Sequence, residues 1–474
     1  MTPKKKSSIA NSACGFACKW FKLKRLKNSK SLDTISPNIM STAKTPELVL
    51  QGERNNEGWK RVLRHCTRPG VARQWTALCF SVCITLVAVL FVILFVAIPA
   101  DKYFARPSGL SSVGELTNNH DLTPTNNVSV WLDNYSHTVV PRACHSHNDY
   151  WRSIPLFTAL TTGCTGIEAD VWLSDDGKDL LVGHDRHSLR FNKTLRSLYI
   201  NPLLEILGGR NPNWTADSVY DQAQGVFRIQ PHTTVVLMID VKERPETIWP
   251  LLVEQLEPLR QKKFLTRYEE VYVGEFVERQ TLWPAPLTVV GSGELDLTAL
   301  LDTYPNNSYY QYHDTFLDAP LHILPDVNHF WTSNDSSSTL LSQAQYLYIP
   351  DNAYYTSVSF KQTIGSVRLG FSASQLETLR TQIYIAKQSG LKSRYWDIPS
   401  WPINYRDYIW EVLTREGVGM LNVDDVDGAT RGLWTVGYLE SVIVFISISV
   451  FITIASAACW VRGLYILRRE RAAK

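Results

Sequence analysis

Four side chains that are suited to acid-base chemistry or metal binding fall within one short stretch, from His145 to Asp185. Glu168 and Asp170 lie two residues apart in an apolar run that is typical of a buried β-strand. Because alternate residues of a strand point to the same face, both carboxylates are expected on one face. His145 follows an earlier strand-like run and His184 follows an Asp-Asp-Gly turn, so the two imidazoles are predicted to approach the carboxylates from different loops.

A second pair with the same spacing, Asp240 and Lys242, ends the next buried-looking run. Together with Glu168 and Asp170, Asp240 offers three hard oxygen ligands of the kind that Mg²⁺ or Ca²⁺ prefers. Lys242 would add a fixed positive charge, so that the cation and the ammonium could hold a phosphodiester and stabilise its transition state. The two histidines would flank phosphorus, one attacking or acting as base and the other protonating the leaving oxygen. These residues therefore predict metal-assisted phosphodiester chemistry.

The elements that must position these residues follow a regular alternation of short apolar runs and longer helical patterns. The predicted strands are Thr138–Ala143, Gly166–Leu173, Val235–Val241, Leu287–Gly291, Gln345–Ile349, Ser393–Asp397 and Val418–Val423. Alternating strands and helices favour a parallel sheet. Seven or eight such units in about 300 residues fit an α/β fold of the (β/α)₈ TIM-barrel type, which keeps its active site at the carboxyl ends of the strands. The barrel is predicted over residues 138–440.

Two long uncharged stretches, residues 75–100 and 441–461, predict transmembrane helices, since a span needs about 20 apolar residues. The first lies too far from the start of the chain and is too long for a cleaved signal peptide. Residues 101–137, rich in Pro, Ser, Asn and Thr, are predicted to form a stalk between the first helix and the barrel. The sequence therefore predicts a two-span membrane protein.

Charge predicts the orientation of that protein. Residues 1–74 carry a net charge of +12 and are predicted to form a disordered tail, and residues 462–474 carry +4. The overall charge of +3 leaves −13 for the middle of the chain. The positive-inside rule then places both termini in the cytoplasm and the barrel on the lumenal or extracellular side, in an endomembrane or at the cell surface.

The middle segment also carries the glycosylation sequons of the chain. Six Asn-x-Ser/Thr sequons begin at Asn127, Asn134, Asn192, Asn213, Asn306 and Asn334, so a glycoprotein is predicted. An acidic segment lacks the basic footprint that nucleic-acid binding requires. The predicted partners are therefore a membrane and a phosphodiester or phospholipid substrate, with no nucleic acid.

Two of the eight cysteines, Cys144 and Cys164, lie in the predicted barrel. Cys144 would end one strand and Cys164 would come just before the next parallel strand. The two would then lie near opposite ends of the sheet, farther apart than a disulfide allows. The sequence therefore predicts two free, buried thiols.

From Thr138 to Val426, the order of these motifs resembles the phospholipase C-like phosphodiesterase superfamily, which includes glycerophosphodiester phosphodiesterases and sphingomyelinase D enzymes. The positions that match its motifs are His145, Glu168, Asp170, His184, Asp240 and Lys242. The resemblance implies a barrel with a divalent metal at the three acids and catalytic roles for the two histidines and the lysine. The run from Arg394 to Asp397 also looks like a late strand of those enzymes, whose Trp lines the substrate site. Trp396 is by this likeness expected to contact the substrate headgroup.

More narrowly, the phrases His-Ser-His-Asn-Asp-Tyr, Tyr-Trp-Asp-Ile-Pro and Leu-Asn-Val-Asp-Asp resemble the fungal family named altered inheritance of mitochondria protein six. That name implies no chemistry. The chain departs from glycerophosphodiesterases in having Ser146-His147 where they carry Arg-Gly and Asp240 where they carry Glu. The missing Arg removes a phosphate contact, which leaves the substrate open.

Three functions are compatible with these motifs. The first is a hydrolase that acts on glycerophosphodiesters or phospholipid headgroups, and the second is a lyase that forms a cyclic phosphate. The third is a non-catalytic, glycosylated membrane protein that keeps the barrel as a binding or scaffold module. The complete set of two histidines, three carboxylates and one lysine favours an enzyme, because a decayed enzyme would be expected to lose some of them.

Overall fold

The structure is a computed structural model that describes residues 69–98, 128–215, 222–273, 276–297, 312–324, 348–430, 434 and 437–472. Most of the predicted basic tail and stalk lies outside the described residues, as does the first part of the predicted strand Gln345–Ile349.

The predicted barrel is confirmed as a closed ring of eight parallel strands. The described residues form eleven strands in all: β1 (Arg142–Ser146), β2 (Cys164–Leu173), β3 (Leu180–Val182), β4 (Val235–Val241), β5 (Arg267–Val273), β6 (Phe276–Trp283), β7 (Leu287–Gly293), β8 (Thr315–Pro320), β9 (Ala353–Ser359), β10 (Lys392–Trp396) and β11 (Met420–Val423). The ring runs β1-β2-β4-β7-β8-β9-β10-β11 and returns to β1. β3 pairs antiparallel with β2, and β5 and β6 form a separate hairpin.

The helices cover the outside of this ring and extend beyond it. They are α1 (Pro69–Val92, continued by a π-helix Ile93–Ala97), α2 (Phe157–Thr162), α3 (Asn201–Arg210), α4 (Pro245–Gln261), α5 (Phe360–Thr363), α6 (Ala373–Gln388), α7 (Ile403–Arg415), α8 (Val426–Thr430) and α9 (Tyr438–Ala472). Local sequence fixes their ends: Pro245 occupies the first turn of α4, and a reciprocal capping box of Ser372 and Gln375 starts α6.

The alternation of side chains along β4 shows how the sequence separates the core from the site. Val235, Leu237, Ile239 and Val241 pack in the large core between strands and helices. The alternate residues point into the ring, where Val236 and Met238 join a small apolar cluster. Asp240 follows Met238 on this inner side. The ring interior is therefore apolar towards its amino end and polar towards its carboxyl end.

The prediction of free thiols at Cys144 and Cys164 is wrong, since a disulfide joins them with their Cα atoms 4.9 Å apart. The error came from the predicted strand Thr138–Ala143, because β1 begins only at Arg142. Cys144 therefore lies in the middle of β1, and Arg142 is the residue in register with Cys164. The two cysteines face each other across neighbouring strands and not across the length of the sheet.

Removing this disulfide is expected to destabilise the barrel. The bridge closes a chain segment with a sequence separation of 20 residues. A loop of that size corresponds to about 3 kcal/mol in the free energy of unfolding. The Cys144→Ala, Cys164→Ala double variant should therefore melt several degrees below the parent in non-reducing buffer, measured by circular dichroism. Complete alkylation of both thiols in the unreduced, denatured parent would contradict the assignment.

Two apolar helices coincide with the predicted spans. Phe80–Ala97 and Tyr438–Tyr465 are each long and apolar enough to cross a membrane, judged by length and composition. Only 6% of the most apolar stretch of each helix is buried. The ring of Phe95 lies 5.7 Å from that of Phe445, so the two helices contact each other.

Candidate active site

The three carboxylates predicted as metal ligands meet at the carboxyl end of the ring. Glu168 and Asp170 alternate with core residues on β2, and Asp240 lies beside Asp170 because the two are in register between β2 and β4. Each side chain offers one oxygen, and these oxygens all lie within 4.8 Å of one another. The acidic cluster of Glu168, Asp170 and Asp240 is therefore a possible cation site.

Two further side chains contact the acidic cluster: Lys242, and a tyrosine that the sequence analysis did not single out. Nζ of Lys242 lies 2.8 Å from Oδ2 of Asp170 and 3.3 Å from Oδ1 of Asp240. The hydroxyl of Tyr150 donates to the same Oδ2 of Asp170 at 2.8 Å. Tyr150 belongs to the His-Ser-His-Asn-Asp-Tyr phrase, so its nearness to His145 in the sequence was the available signal.

The two predicted histidines contact neighbouring carboxylates of the cluster. Nε2 of His145 lies 3.3 Å from Oε2 of Glu168, and Nδ1 of His184 lies 3.5 Å from Oδ2 of Asp170. His145 is completely buried, whereas 52% of the His184 side chain is exposed. The ring of Trp151 covers His184 with its centroid 5.1 Å away. The structure therefore brings both imidazoles to the cluster, one below it and one at the open side.

Burial lowers the pKa of His145 to about 4, against the hydrogen bond to Glu168, which raises it. The imidazole is therefore neutral at pH 7. Because an ionised carboxylate only accepts hydrogen bonds, Nε2 of His145 carries the hydrogen. Nδ1 then holds the lone pair, and it lies against Gly166, where a Cβ atom would collide with it. The small residue at position 166 thus leaves room for the ring.

A second residue that sequence reasoning did not assign to the site is Arg394. Its buried guanidinium donates to Asn422 at 2.8 Å and to Asp318 at 3.2 Å, and it lies 3.5 Å from Glu168. Burial opposes the charge of Arg394, but the two carboxylates outweigh burial and raise its pKa. The sequence feature that could have indicated its place in the site is a charged residue at an inward position of the strand β10. The positive charge of Arg394 offsets part of the negative charge of Glu168 and Asp318.

The polar end of the ring keeps an excess of negative charge. Four carboxylates, those of the cluster and of Asp318, face two fixed cations, Lys242 and Arg394, which leaves a charge of −2 when all are ionised. Burial raises the pKa of Asp240 to about 6, and the charges of Glu168 and Asp170 act in the same direction. Burial likewise raises the pKa of Asp170 despite its bond with Lys242.

The cluster fits a hard divalent cation. Among the described residues, Oδ1 of Asp170 is buried without a hydrogen-bond partner, although a buried carboxylate oxygen normally has one. The donors are all oxygens, and with all four carboxylates ionised the charge of −2 matches a divalent ion. Glu168, Asp170 and Asp240 would hold such an ion, in agreement with the ligand types that Mg²⁺ and Ca²⁺ prefer.

Trp396, predicted to contact the substrate headgroup, is the last residue of β10 and is 40% exposed. It lies at the same end of the ring as the acidic cluster. Near it is a pocket of about 430 Å³, whose wall includes His147, Asp397, Arg406 and Asp424. Nδ1 of His147 lies 2.7 Å from Asp424, so a second imidazole-carboxylate pair lines this pocket.

Replacing Tyr150 by Phe is expected to lower phosphodiester turnover by a factor of about 10 to 100, since a hydrogen bond to a charged group contributes about 1.5–3 kcal/mol. The hydroxyl contacts both Asp170 and, at 3.4 Å, Nδ1 of His184, and Phe keeps the ring. Steady-state kinetics and thermal melting of the variant would check this. A drop in melting temperature that parallels the loss of rate would show that the hydroxyl serves the fold alone.

Comparison with known proteins identifies a phosphodiesterase-like domain in the barrel. A family model described as the AIM6-like phosphodiesterase domain matches residues 133–318. The chain is 36% identical over 301 residues to the "Altered inheritance of mitochondria protein 6 homolog" of Arthroderma benhamiae. The aligned residues make up 61% of this chain and 83% of that protein. It is 33% identical over 292 residues to "Altered inheritance of mitochondria protein 6" of Eremothecium gossypii, covering 60% of this chain and 68% of that one. The chain is also 32% identical over 304 residues to "Altered inheritance of mitochondria protein 6" of Saccharomyces cerevisiae (strain YJM789). That alignment covers 61% of this chain and 70% of the yeast protein. On this evidence the chain belongs to the altered inheritance of mitochondria protein 6 family and carries its phosphodiesterase-like domain.

Proposed function

We propose that the protein is a membrane-anchored, metal-dependent phosphodiesterase that hydrolyses glycerophosphodiesters or phospholipid headgroups. The observation that carries the proposal is the partnerless buried oxygen of Asp170 within an acidic cluster that also contacts Lys242 and both histidines. The match to a phosphodiesterase-domain model supports the same reaction class.

The residues divide the work of diester hydrolysis. Water attacks phosphorus, one P–O bond forms, the bond to the leaving oxygen breaks, and the products are an alcohol and a phosphomonoester. His184 lies at the open side and exchanges a proton with the attacking or leaving oxygen, oriented by Asp170 and Tyr150. His145 is the second acid-base group once its bond to Glu168 opens. Lys242 stabilises the charge on the phosphoryl oxygens, and a divalent cation held by Glu168, Asp170 and Asp240 would supply further stabilisation of that charge.

The pocket beside Trp396 offers space for the part of the substrate that is attached to phosphorus. Its wall carries three carboxylates, Asp397, Asp424 and Asp425, beside Arg406 and His147. Burial lowers the pKa of His147, but the hydrogen bond with Asp424 and the charge of Glu168 outweigh burial and raise it. Headgroup contact by Trp396 would extend this polar wall with an aromatic face.

Two alternatives remain within the same geometry. Attack by a neighbouring hydroxyl of the substrate in place of water would release a cyclic phosphate, and it would use the same two histidines. A non-catalytic binding module would keep the acidic cluster as a cation site only. The full acid-base set around the cluster favours an enzyme over a binding module.

Membrane anchoring is part of the proposal. The two exposed apolar helices, Phe80–Ala97 and Tyr438–Tyr465, supply the anchors. The excess of Lys and Arg outside them supports cytoplasmic termini and a lumenal or extracellular barrel. On that side the sequons of the barrel would be available for glycosylation.

The test is phosphodiester cleavage by the purified full-length protein. Glycerophosphocholine, lysophosphatidylcholine and sphingomyelin would each be assayed with Mg²⁺, with Ca²⁺ and with EDTA, and the products would be followed by ³¹P NMR. A metal-dependent phosphomonoester supports the hydrolase, and a cyclic phosphate supports the lyase. No turnover of any substrate by protein that binds metal and melts cooperatively would support the binding module.

A further inference from the structure

Large apolar side chains are exposed on the loops that follow the carboxyl ends of the barrel strands. Leu369, between β9 and α6, is 79% exposed, and Trp401, between β10 and α7, is 56% exposed. Trp151, which follows β1, is 60% exposed, and Trp396 at the end of β10 is also accessible. Because three of them follow the carboxyl end of a strand and Trp396 is the last residue of one, all four lie at the end of the barrel that carries the acidic cluster. Exposed apolar residues grouped in this way mark an interaction surface.

The second apolar helix joins the barrel at this same end. The ring of Tyr438, the first residue of α9, lies 5.2 Å from that of Tyr405 in the first turn of α7. The hydroxyl of Tyr438 donates to the carbonyl oxygen of Arg368 at 2.9 Å. A Cβ atom on Gly370 would lie 3.6 Å from the side chain of Leu439. Leu369 therefore lies between Arg368, which bonds to the start of the apolar helix, and Gly370, which faces that helix.

The first apolar helix reaches the same place. Phe95, at the end of this helix, packs edge-on against Tyr438 with ring centroids 6.2 Å apart. Phe95 is buried, unlike most of its helix. Both helices therefore meet the barrel at its carboxyl end, and a membrane crossed by them begins beside the loop that carries Leu369.

We propose that the open end of the barrel rests on the membrane that the two helices cross, with Leu369, Trp401, Trp151 and Trp396 at the level of the lipid headgroups. Tryptophan favours this level because its ring is apolar and its N–H is polar. The substrate is then a phosphodiester lipid of that membrane, which reaches the acidic cluster without leaving the bilayer. This inference rests on the proposed function for its choice of substrate, and its placement of the barrel can be tested without turnover.

The first test measures the placement alone. A dansyl-bearing amino acid would replace Leu369 in the full-length protein, reconstituted in phosphatidylcholine nanodiscs with ordinary or brominated acyl chains. Its emission is expected to shift to the blue relative to detergent and to be quenched by the brominated lipid. The matched control carries the same group at Gln388, an exposed residue at the other end of α6, where neither effect is expected.

Two outcomes of this test would overturn the proposal. One is emission from position 369 that resembles water and does not respond to brominated lipid. The other is a blue shift that depends on protein concentration and not on lipid, since this would mean that a second copy of the chain covers the surface. Neither outcome depends on whether the protein is an enzyme.

The second test separates lipid from soluble substrate. The Leu369→Ser, Trp401→Ser double variant is expected to cleave a phosphodiester lipid in vesicles about 10-fold more slowly, because less apolar surface enters the interface. Its turnover of soluble glycerophosphocholine should stay at the parental rate. Equal losses on both substrates, or no loss on either, would overturn the proposed lipid substrate. Absence of turnover in the parent would instead count against the proposed function and leave the fluorescence result standing.

Discussion

Replacing His184 by Asn is expected to lower kcat for phosphodiester cleavage about 1,000-fold, within the range that positioned acid-base groups contribute. Nδ1 of His184 contacts Asp170 and Tyr150, and half of the side chain is open to solvent. Asn can place its amide near Nδ1, but it has no group that exchanges a proton near neutral pH. The measurement is steady-state kinetics of the full-length protein with Mg²⁺ present.

The melting temperature of this variant should remain unchanged, because an exposed side chain contributes little to the core. His187→Asn is the matched control, since this exposed histidine lies three residues further along the same loop. Its activity should equal that of the parent. His184→Asn with parental activity and parental stability would refute the catalytic assignment. His145 is a poorer first choice, because its complete burial would mix effects on the fold with effects on the chemistry.

The positions of the three carboxylates on β2 and β4 show how much of this site the local sequence pattern can predict. Successive side chains of a strand point to opposite faces of the sheet. Because Ile167 and Ala169 face the outer core, Glu168 must face inward. The parallel register that places Asp170 beside Asp240 follows from the barrel itself. The acidic cluster could therefore be predicted from spacing, and its position at the carboxyl end of the strands follows from the fold class.

Residues that enter the site from distant strands could not be predicted in this way. Arg394 reaches Glu168 across the ring, and the chain between them is more than 200 residues long, so no local pattern connects the two. The disulfide shows the same limit at shorter range. An error of a few residues in the start of β1 moved Cys144 from the middle of a strand to its end, which reversed the conclusion about Cys164.

Replacing Asp170 by Asn is expected to abolish divalent-cation binding and turnover together. The variant removes the charge of Asp170, a member of the acidic cluster that holds a buried oxygen without a hydrogen-bond partner. Isothermal titration with Mg²⁺ and with Ca²⁺ should give no heat of binding, and kcat should fall below detection. In EDTA, the melting temperature should equal or exceed that of the parent, because burial raises the pKa of Asp170 and the folded protein therefore favours a neutral side chain there.

Loss of cation binding and turnover without a loss of thermal stability distinguishes a functional carboxylate from a structural one. A carboxylate retained for stability, through its bond to Lys242, would cost stability when neutralised, whereas a cation ligand that repels its neighbours would not. Asp176→Asn serves as the control, because Asp176 lies fully exposed in the turn between β2 and β3 and should change neither binding nor rate. A large fall in the melting temperature of the Asp170→Asn variant in EDTA, with cation binding intact, would remove Asp170 from the proposed ligands. The negative charge inside the ring would then need a permanent counter-charge other than a metal ion.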